Sequence, residues 1–306
     1  MNTTIQHQSD QNSKMPSAPP DLTVIVITRG RVRLLERAIR TVSIQREVRV
    51  AVLVVSDEDA PTTTFLRGHR SPGGAVVSLQ RIHASRTPYD ASGPRRLAAL
   101  RQFALSLVKT EWCAFLDDDN ELEIDHFRSL LKCAVGVGAP LAHSWRSLWS
   151  PEGEPFPLID RHPWSRDAEQ AKAMFSYYCD AGIYTPGSNI VRDQVKTGNR
   201  AQSMVDMSEW IFNTDLLREI KFATEYSEED WTLSRAEDNK LLSEIVLRGI
   251  EVPCSQQATL RYYLGGFSNN WSTEASARCG WVDDGVDRPV ATVDYVQLNG
   301  PDASGL

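Results

Sequence analysis

The chain has 306 residues, 41% hydrophobic and 24% charged, a composition that supports a full buried core and excludes a fibre or a wholly disordered polymer. A net charge of -7 with a pI near 5.5 argues against a nucleic-acid binder, because a phosphate backbone is neutralised by clustered excess Lys and Arg. The five cysteines are widely spaced with no Cys-x-x-Cys pair, which indicates neither a disulfide framework nor a zinc knuckle and points to a reducing cytoplasm.

Residues 1–20 are rich in Gln, Ser, Asn and Pro and lack the apolar centre of a secretory signal, so a disordered arm is expected there. Leu22 to Ile27 is a continuous apolar, β-branched run of the kind found in a strand covered on both faces. Leu34, Leu35, Ala38, Ile39 and Val42 then recur at helical spacing, and Val50 to Val55 supplies a second buried run, completing a βαβ unit. A third strand is predicted at Ala75 to Leu79, and a helix over Leu97 to Val108 with Leu97, Leu100, Ala104 and Leu107 on its apolar side. Trp112 to Leu116 is the fourth strand. Alternating β and α elements predict an α/β fold with an open, mostly parallel central sheet flanked by helices.

From Leu141 to Trp210 no period is sustained, and Trp, Tyr, Pro and Gly are interspersed, so a loop-rich stretch is expected. Most of its aromatics are expected in the core, although Trp and Tyr can also stack on the apolar ring face of a ligand. Helical spacing returns at Leu241, Leu242, Ile245 and Val246 and stops at Gly249, followed by predicted strands around Ile250 to Val252 and Ala258 to Tyr263. Residues 21–275 therefore read as a single domain, in which 21–140 precede a loop-rich half at 141–275. Residues 276–306 read as a poorly ordered tail. No apolar run reaches the ~18–20 residues that span a bilayer.

In open α/β sheets ligands bind beyond the carboxyl ends of the strands. Those ends carry Thr28-Arg29-Gly30-Arg31, Ser56-Asp57-Glu58-Asp59 and Asp117-Asp118-Asp119-Asn120. Three adjacent carboxylates raise one another's pKa unless a cation neutralises them, and hard oxygen donors suit Mg²⁺ or Mn²⁺; a solvated acidic turn is the simpler alternative. Asp238 lies three, four and seven residues before Leu241, Leu242 and Ile245, on the inward side of its helix. An ordinary first-turn acid would occupy the same place. His126, His143 and His162 show no metal-ligand spacing and read as structural or exposed.

The segment Lys109 to Asn120, KTEWCAFLDDDN, resembles the fourth-strand motif of the GT-A-fold glycosyltransferases, in particular the inverting family two. Arg101-Gln102 falls where that family carries Arg-Asn, and Asp238 precedes Gly249 by eleven positions, as its late Glu-Asp motif precedes a Gly. The resemblance covers Leu22 to Tyr263, strongly in the two acidic motifs and weakly through the aromatic middle. It implies a nucleotide-sugar-binding half at 21–140, followed by an acceptor half at 141–275 that carries the catalytic base. It further implies that Thr28 and Asp57 line the nucleoside pocket, that Asp118 meets the ribose or sugar, and that Asp117 and Asp119 hold Mn²⁺ or Mg²⁺ against the diphosphate. Asp238 would be the general base, with Asp230 in Glu229-Asp230-Trp231 as second choice, and Arg96 or Arg31 would contact the phosphates. The donor would be a UDP-, GDP- or dTDP-sugar and the acceptor a small molecule or glycan.

The sequence departs from the family in carrying Ser56 in place of the first Asp of a usual pair, and in having no histidine after His162 to serve as a late metal ligand. A sugar-phosphate nucleotidyltransferase would open with a Gly-rich phosphate loop, and Thr28-Arg29-Gly30-Arg31 is not one. A phosphatase would carry its Asp-x-Asp after the first strand. A non-catalytic sugar-binding relative would have no use for both the metal ligands and the base.

Overall fold

The computed structural model of the protein describes residues 20–57, 61–62, 64–65, 76–84, 93–165, 167–195, 205–232, 235–266 and 296–298. The expected N-terminal arm lies outside these residues apart from Pro20, and the expected tail apart from 296–298. Strand β1 (Leu22–Thr28) is apolar at successive positions because helices cover both of its faces. Leu22, Val24 and Val26 join one core cluster with Leu35, Ala38, Ile39 and Val42 of helix α1 (Val32–Ser43). Ile25 belongs to the opposite cluster, with Ala98, Leu100, Ala104 and Leu105 of helix α2 (Gly93–Leu107). Pro94 near the start of α2 has a pre-set φ suited to a first helical turn. The buried side of α2 is rotated from the face expected from its leucines: Arg96 and Arg101 are buried while Leu97 and Leu107 are only partly covered. Both arginines have carboxylate partners at strand ends, which is what lets them replace apolar residues there.

The remaining strands are β2 (Val50–Asp57), β3 (Val76–Ala84), β4 (Trp112–Phe115), β5 (Glu121–Leu122), β6 (Leu141–Trp149), β7 (Ile190–Val191), β8 (Trp210–Asn213), β9 (Cys254–Tyr263) and β10 (Val296–Leu298). They form one sheet in the order β10-β3-β2-β1-β4-β8-β6-β9-β5, with β7 paired to β6. The run β3-β2-β1-β4 is parallel. Strand β8 reverses direction against β4, β6 reverses again against β8, and β9 is parallel to β6. Two reversals cancel, so β1, β2, β4, β6 and β9 all present their carboxyl ends at one edge.

The other helices are α3 (His126–Val137), α4 (Ala168–Asp180), α5 (Thr214–Ile220), α6 (Glu228–Thr232) and α7 (Glu237–Leu247), with a 3₁₀ turn at Met207–Glu209. Phe127, Leu130 and Ala134 of α3 extend the first cluster, and Leu217 of α5 with Leu241 and Ile245 of α7 extend the second. No helix among the described residues is long and apolar enough to cross a membrane.

The region 141–210 is more regular than expected. Strand β6 lies inside it, and its polar residues hid it: His143, Ser144 and Arg146 are at most 2% exposed yet break the apolar pattern. A third cluster, built on Leu148, Phe175, Tyr178, Tyr184 and Tyr262, supports this half. No strand forms at Ile250 to Val252. Gly249 takes a left-handed φ of 65°, the Ile250 amide bonds back to the Ile245 carbonyl, and Ile250 and Val252 pack on the core as the exit from α7.

Candidate active site

Thr28 ends β1, and its hydroxyl donates to Asp118 just beyond β4. Gly30 follows with φ 66°, a conformation that suits glycine and turns the chain into α1. The three aspartates then divide. Asp118 is fully buried and held by Thr28 and by Arg31, whose Nε donates to its Oδ2 at 3.1 Å. Burial is the main cause that lifts its pKa to about 7, against the opposing pull of the Arg31 charge. The Asp117 side chain keeps 37% exposure and that of Asp119 18%, so the outer two acids reach solvent while the middle one anchors the turn.

Asp117 accepts from Arg101 Nη2 at 3.3 Å, and its backbone amide donates to Ser208 Oγ at 3.1 Å. Its carboxyl is pushed well above the usual range by burial and then by the negative charge of Asp206, which Arg101 only partly offsets. Asp119 accepts from Arg31 Nη1 at 2.9 Å, and its carbonyl accepts from Arg37. Gly266 passes so close that a Cβ there would lie 2.9 Å from Asp119 Oδ2. Asn120 Oδ1 accepts from the Tyr263 amide at 3.1 Å, fastening the end of β9 to the acidic turn.

Asp57, at the end of β2, is buried in a forked pair with Arg96, whose Nε lies 2.9 Å from each carboxylate oxygen. Truncating one partner of such a pair costs ~3–5 kcal/mol, because the other charge stays buried. Asp57 and Arg96, read separately from the sequence, are thus a single unit.

The late motif reaches the same place through Arg101. Its Nη1 pairs with Glu237 at the first turn of α7 while its Nη2 reaches Asp117, and the guanidinium is 3% exposed. Asp238 stands next in the chain, partly exposed, with one oxygen accepting from the Asn239 amide at 2.7 Å. Burial, then Glu237, raise its pKa to about 7, with Asp206 adding and Arg101 opposing. Asp230 has a different environment. Lys240 and Arg235 pair with it at 2.6 and 3.2 Å and Ser227 caps it, so hydrogen bonds hold its carboxyl well below the ordinary range.

Sequence reasoning missed Asp206, Ser208 and Glu209. Asp206 caps a 3₁₀ turn in a capping box with Glu209, and its charge acts on Asp117, Asp238 and Arg101. Glu209 is fully buried against Arg146 of β6, and its pKa is lifted by burial to about 8. The signal was present as Asp-x-x-Glu ahead of Trp210-Ile211-Phe212. The three histidines lie in the framework: the Nδ1 atoms of His126, His143 and His162 contact Thr259, the Ser144 carbonyl and Tyr184, each at 2.8 Å.

No protein-family model matches the chain, and no curated protein matches it. Solved structures do. S. aureus TarS, residues 1–349, aligns with a TM-score of 0.51 at 15% identity over 79% of this chain and 60% of that one. The same protein in complex with UDP-GlcNAc aligns with a TM-score of 0.50 at 14% identity, over 83% and 61% of the two chains. The chain spans about three fifths of the length of those structures. These alignments show a GT-A-type fold, an α/β architecture with a curled central sheet flanked by helices.

Proposed function

We propose that this protein is an inverting glycosyltransferase that moves a sugar from a nucleoside-diphosphate sugar to an acceptor hydroxyl, with Asp238 as general base. The observation that supports the reading is the Arg101 bridge, whose guanidinium pairs with Glu237, the residue before Asp238, and with Asp117 of the acidic strand end. A carboxyl with a pKa near 7 is half ionised at neutral pH, suited to accept a proton and release it again. Asp230, held ionised by two cations, is a weak base by the same reasoning.

In the proposed step the acceptor oxygen attacks the anomeric carbon as its proton passes to Asp238. The new carbon–oxygen bond forms while the bond to the diphosphate oxygen breaks, and the nucleoside diphosphate leaves with the electron pair. Thr28 and the Asp57–Arg96 unit support the nucleoside end of the donor, and Asp118 fixes the turn on which the sugar rests.

Among the described residues no three His, Cys, Asp or Glu side chains form a ready cation cage. A magnesium-type ion needs only one or two carboxylates and completes its shell with phosphate oxygens and water. Asp117 and Asp119 fit that requirement: both reach solvent, and the negative charge around Asp117 exceeds what Arg101 neutralises. Bound there as Mn²⁺ or Mg²⁺, the cation would offset the charge that develops on the leaving diphosphate.

The UDP-GlcNAc held by TarS makes a uridine nucleotide the first donor to test. Cys113, Cys133, Cys179 and Cys254 are free thiols, which supports a reducing, cytoplasmic setting. The test is calorimetric titration of UDP, GDP and dTDP with and without Mn²⁺, into the wild type and Asp119→Ala. Mn²⁺-dependent binding of one nucleotide, lost in the variant, is expected. Absence of binding by all three would remove the donor and leave a non-catalytic relative. Retention of anomeric configuration in a product would overturn Asp238 as base.

A further inference from the structure

The Arg31 guanidinium is shared between two aspartates of different character. Its Nε and Nη2 lie on Asp118, which is fully buried, and its Nη1 lies on Asp119, which is partly exposed to solvent. The inner contacts neutralise a charge that water does not reach and are costly to break. The outer contact joins side chains that are 34% and 18% exposed, so solvent weakens it and it can be exchanged. Arg31 also sits at the N-cap of α1, where no side chain caps the helix and no acid occupies the first turn, so the backbone field at this spot favours an anion.

We propose that Arg31 senses the donor: it neutralises Asp119 in the absence of nucleotide and passes that contact to the nucleotide diphosphate on binding, so the divalent cation enters with the nucleotide rather than alone. The inference rests on the transferase reading above. A guanidinium presents the same fork to a phosphate as to a carboxylate, so the exchange keeps its donors satisfied. A lone divalent cation at Asp119 would instead meet the Arg31 charge a few ångströms away, with nothing to offset the repulsion. The diphosphate removes that penalty for both partners, and the coupling it creates is reciprocal.

The test is calorimetric titration of MnCl₂ alone, and in saturating UDP, GDP or dTDP, into the wild type, Arg31→Gln and Arg31→Lys. Because Arg31→Gln leaves Asp118 buried without its cation and so perturbs folding as well as binding, Arg31→Lys is the decisive variant: one ammonium can serve Asp118 but cannot fork to Asp119. In the wild type, Mn²⁺ is expected to bind about tenfold more tightly with the nucleotide present. In folded Arg31→Lys, Mn²⁺ alone should bind at least about threefold more tightly than in the wild type, and the nucleotide enhancement should shrink. Unchanged Mn²⁺ affinity in Arg31→Lys, or a wild-type affinity indifferent to nucleotide, overturns the inference. If no nucleotide binds the wild type under any condition, the transferase reading itself falls, and the inference with it.

Discussion

Arg101 and Glu237, 136 positions apart, form a buried ion pair that locks α2 to the first turn of α7. Its consequence is positional: the residue after Glu237 is the proposed base, and the same guanidinium touches Asp117 of the acidic turn.

Arg101→Met should therefore destabilise the protein by ~3–5 kcal/mol, because Glu237 would remain buried without its cation. The double variant Arg101→Met/Glu237→Met should recover most of that loss, since it removes both charges. Urea unfolding of the two singles and the double measures this, and additive losses would show that the pair is not coupled.

Asp238→Asn should lower kcat by about 10²–10⁴-fold while leaving nucleotide affinity near that of the wild type. Asp230→Asn should leave kcat within a few-fold. In the wild type, kcat/KM should rise with pH through a midpoint near 7, since the proposed base works only when ionised and its carboxyl titrates at about 7. A profile that is flat between pH 5.5 and 8.5 would count against Asp238.

Gly266→Ala should loosen the acidic turn without unfolding the chain. The added methyl would meet Asp119 Oδ2 at 2.9 Å and push that carboxylate off Arg31. Weaker Mn²⁺-dependent nucleotide binding with little change in melting temperature is the expected pair of results, read by calorimetry and by thermal denaturation.

Four carboxyls with raised pKa, Asp117, Asp118, Asp238 and Glu209, make stability depend on pH in the same direction. Glu209 moves from 4.5 to about 8 and Asp238 from 3.8 to about 7, so over that interval the folded chain holds protons that the unfolded chain has released. Their contribution is complete below the unfolded values and is lost as pH rises through the folded ones. The melting temperature should fall between pH 5.5 and 8.5, and Glu209→Gln should flatten the slope. A melting temperature that climbs over this range would contradict the assignment.

The half at 21–140 was legible in the sequence because its strands are covered on both faces. Leu22 to Ile27, Thr23 apart, and Val50 to Val55 are then apolar, and a polar run such as Asp117-Asp118-Asp119 stands out where the strand ends. The distance from Asp238 to Gly249 was legible for a local reason, since a helix of fixed length separates them. Strand β6 was not, because His143, Ser144 and Arg146 are buried polar residues whose partners lie elsewhere in the chain. Nor does the sequence show that Arg96 belongs with Asp57, Arg101 with Glu237 and Asp117, or Arg31 with both Asp118 and Asp119. Local periodicity marks covered positions where the cover is apolar, as in β1 and β2. The choice of partner for a buried charge is made only when distant segments meet, because its energy comes from a counter-charge that local sequence does not specify.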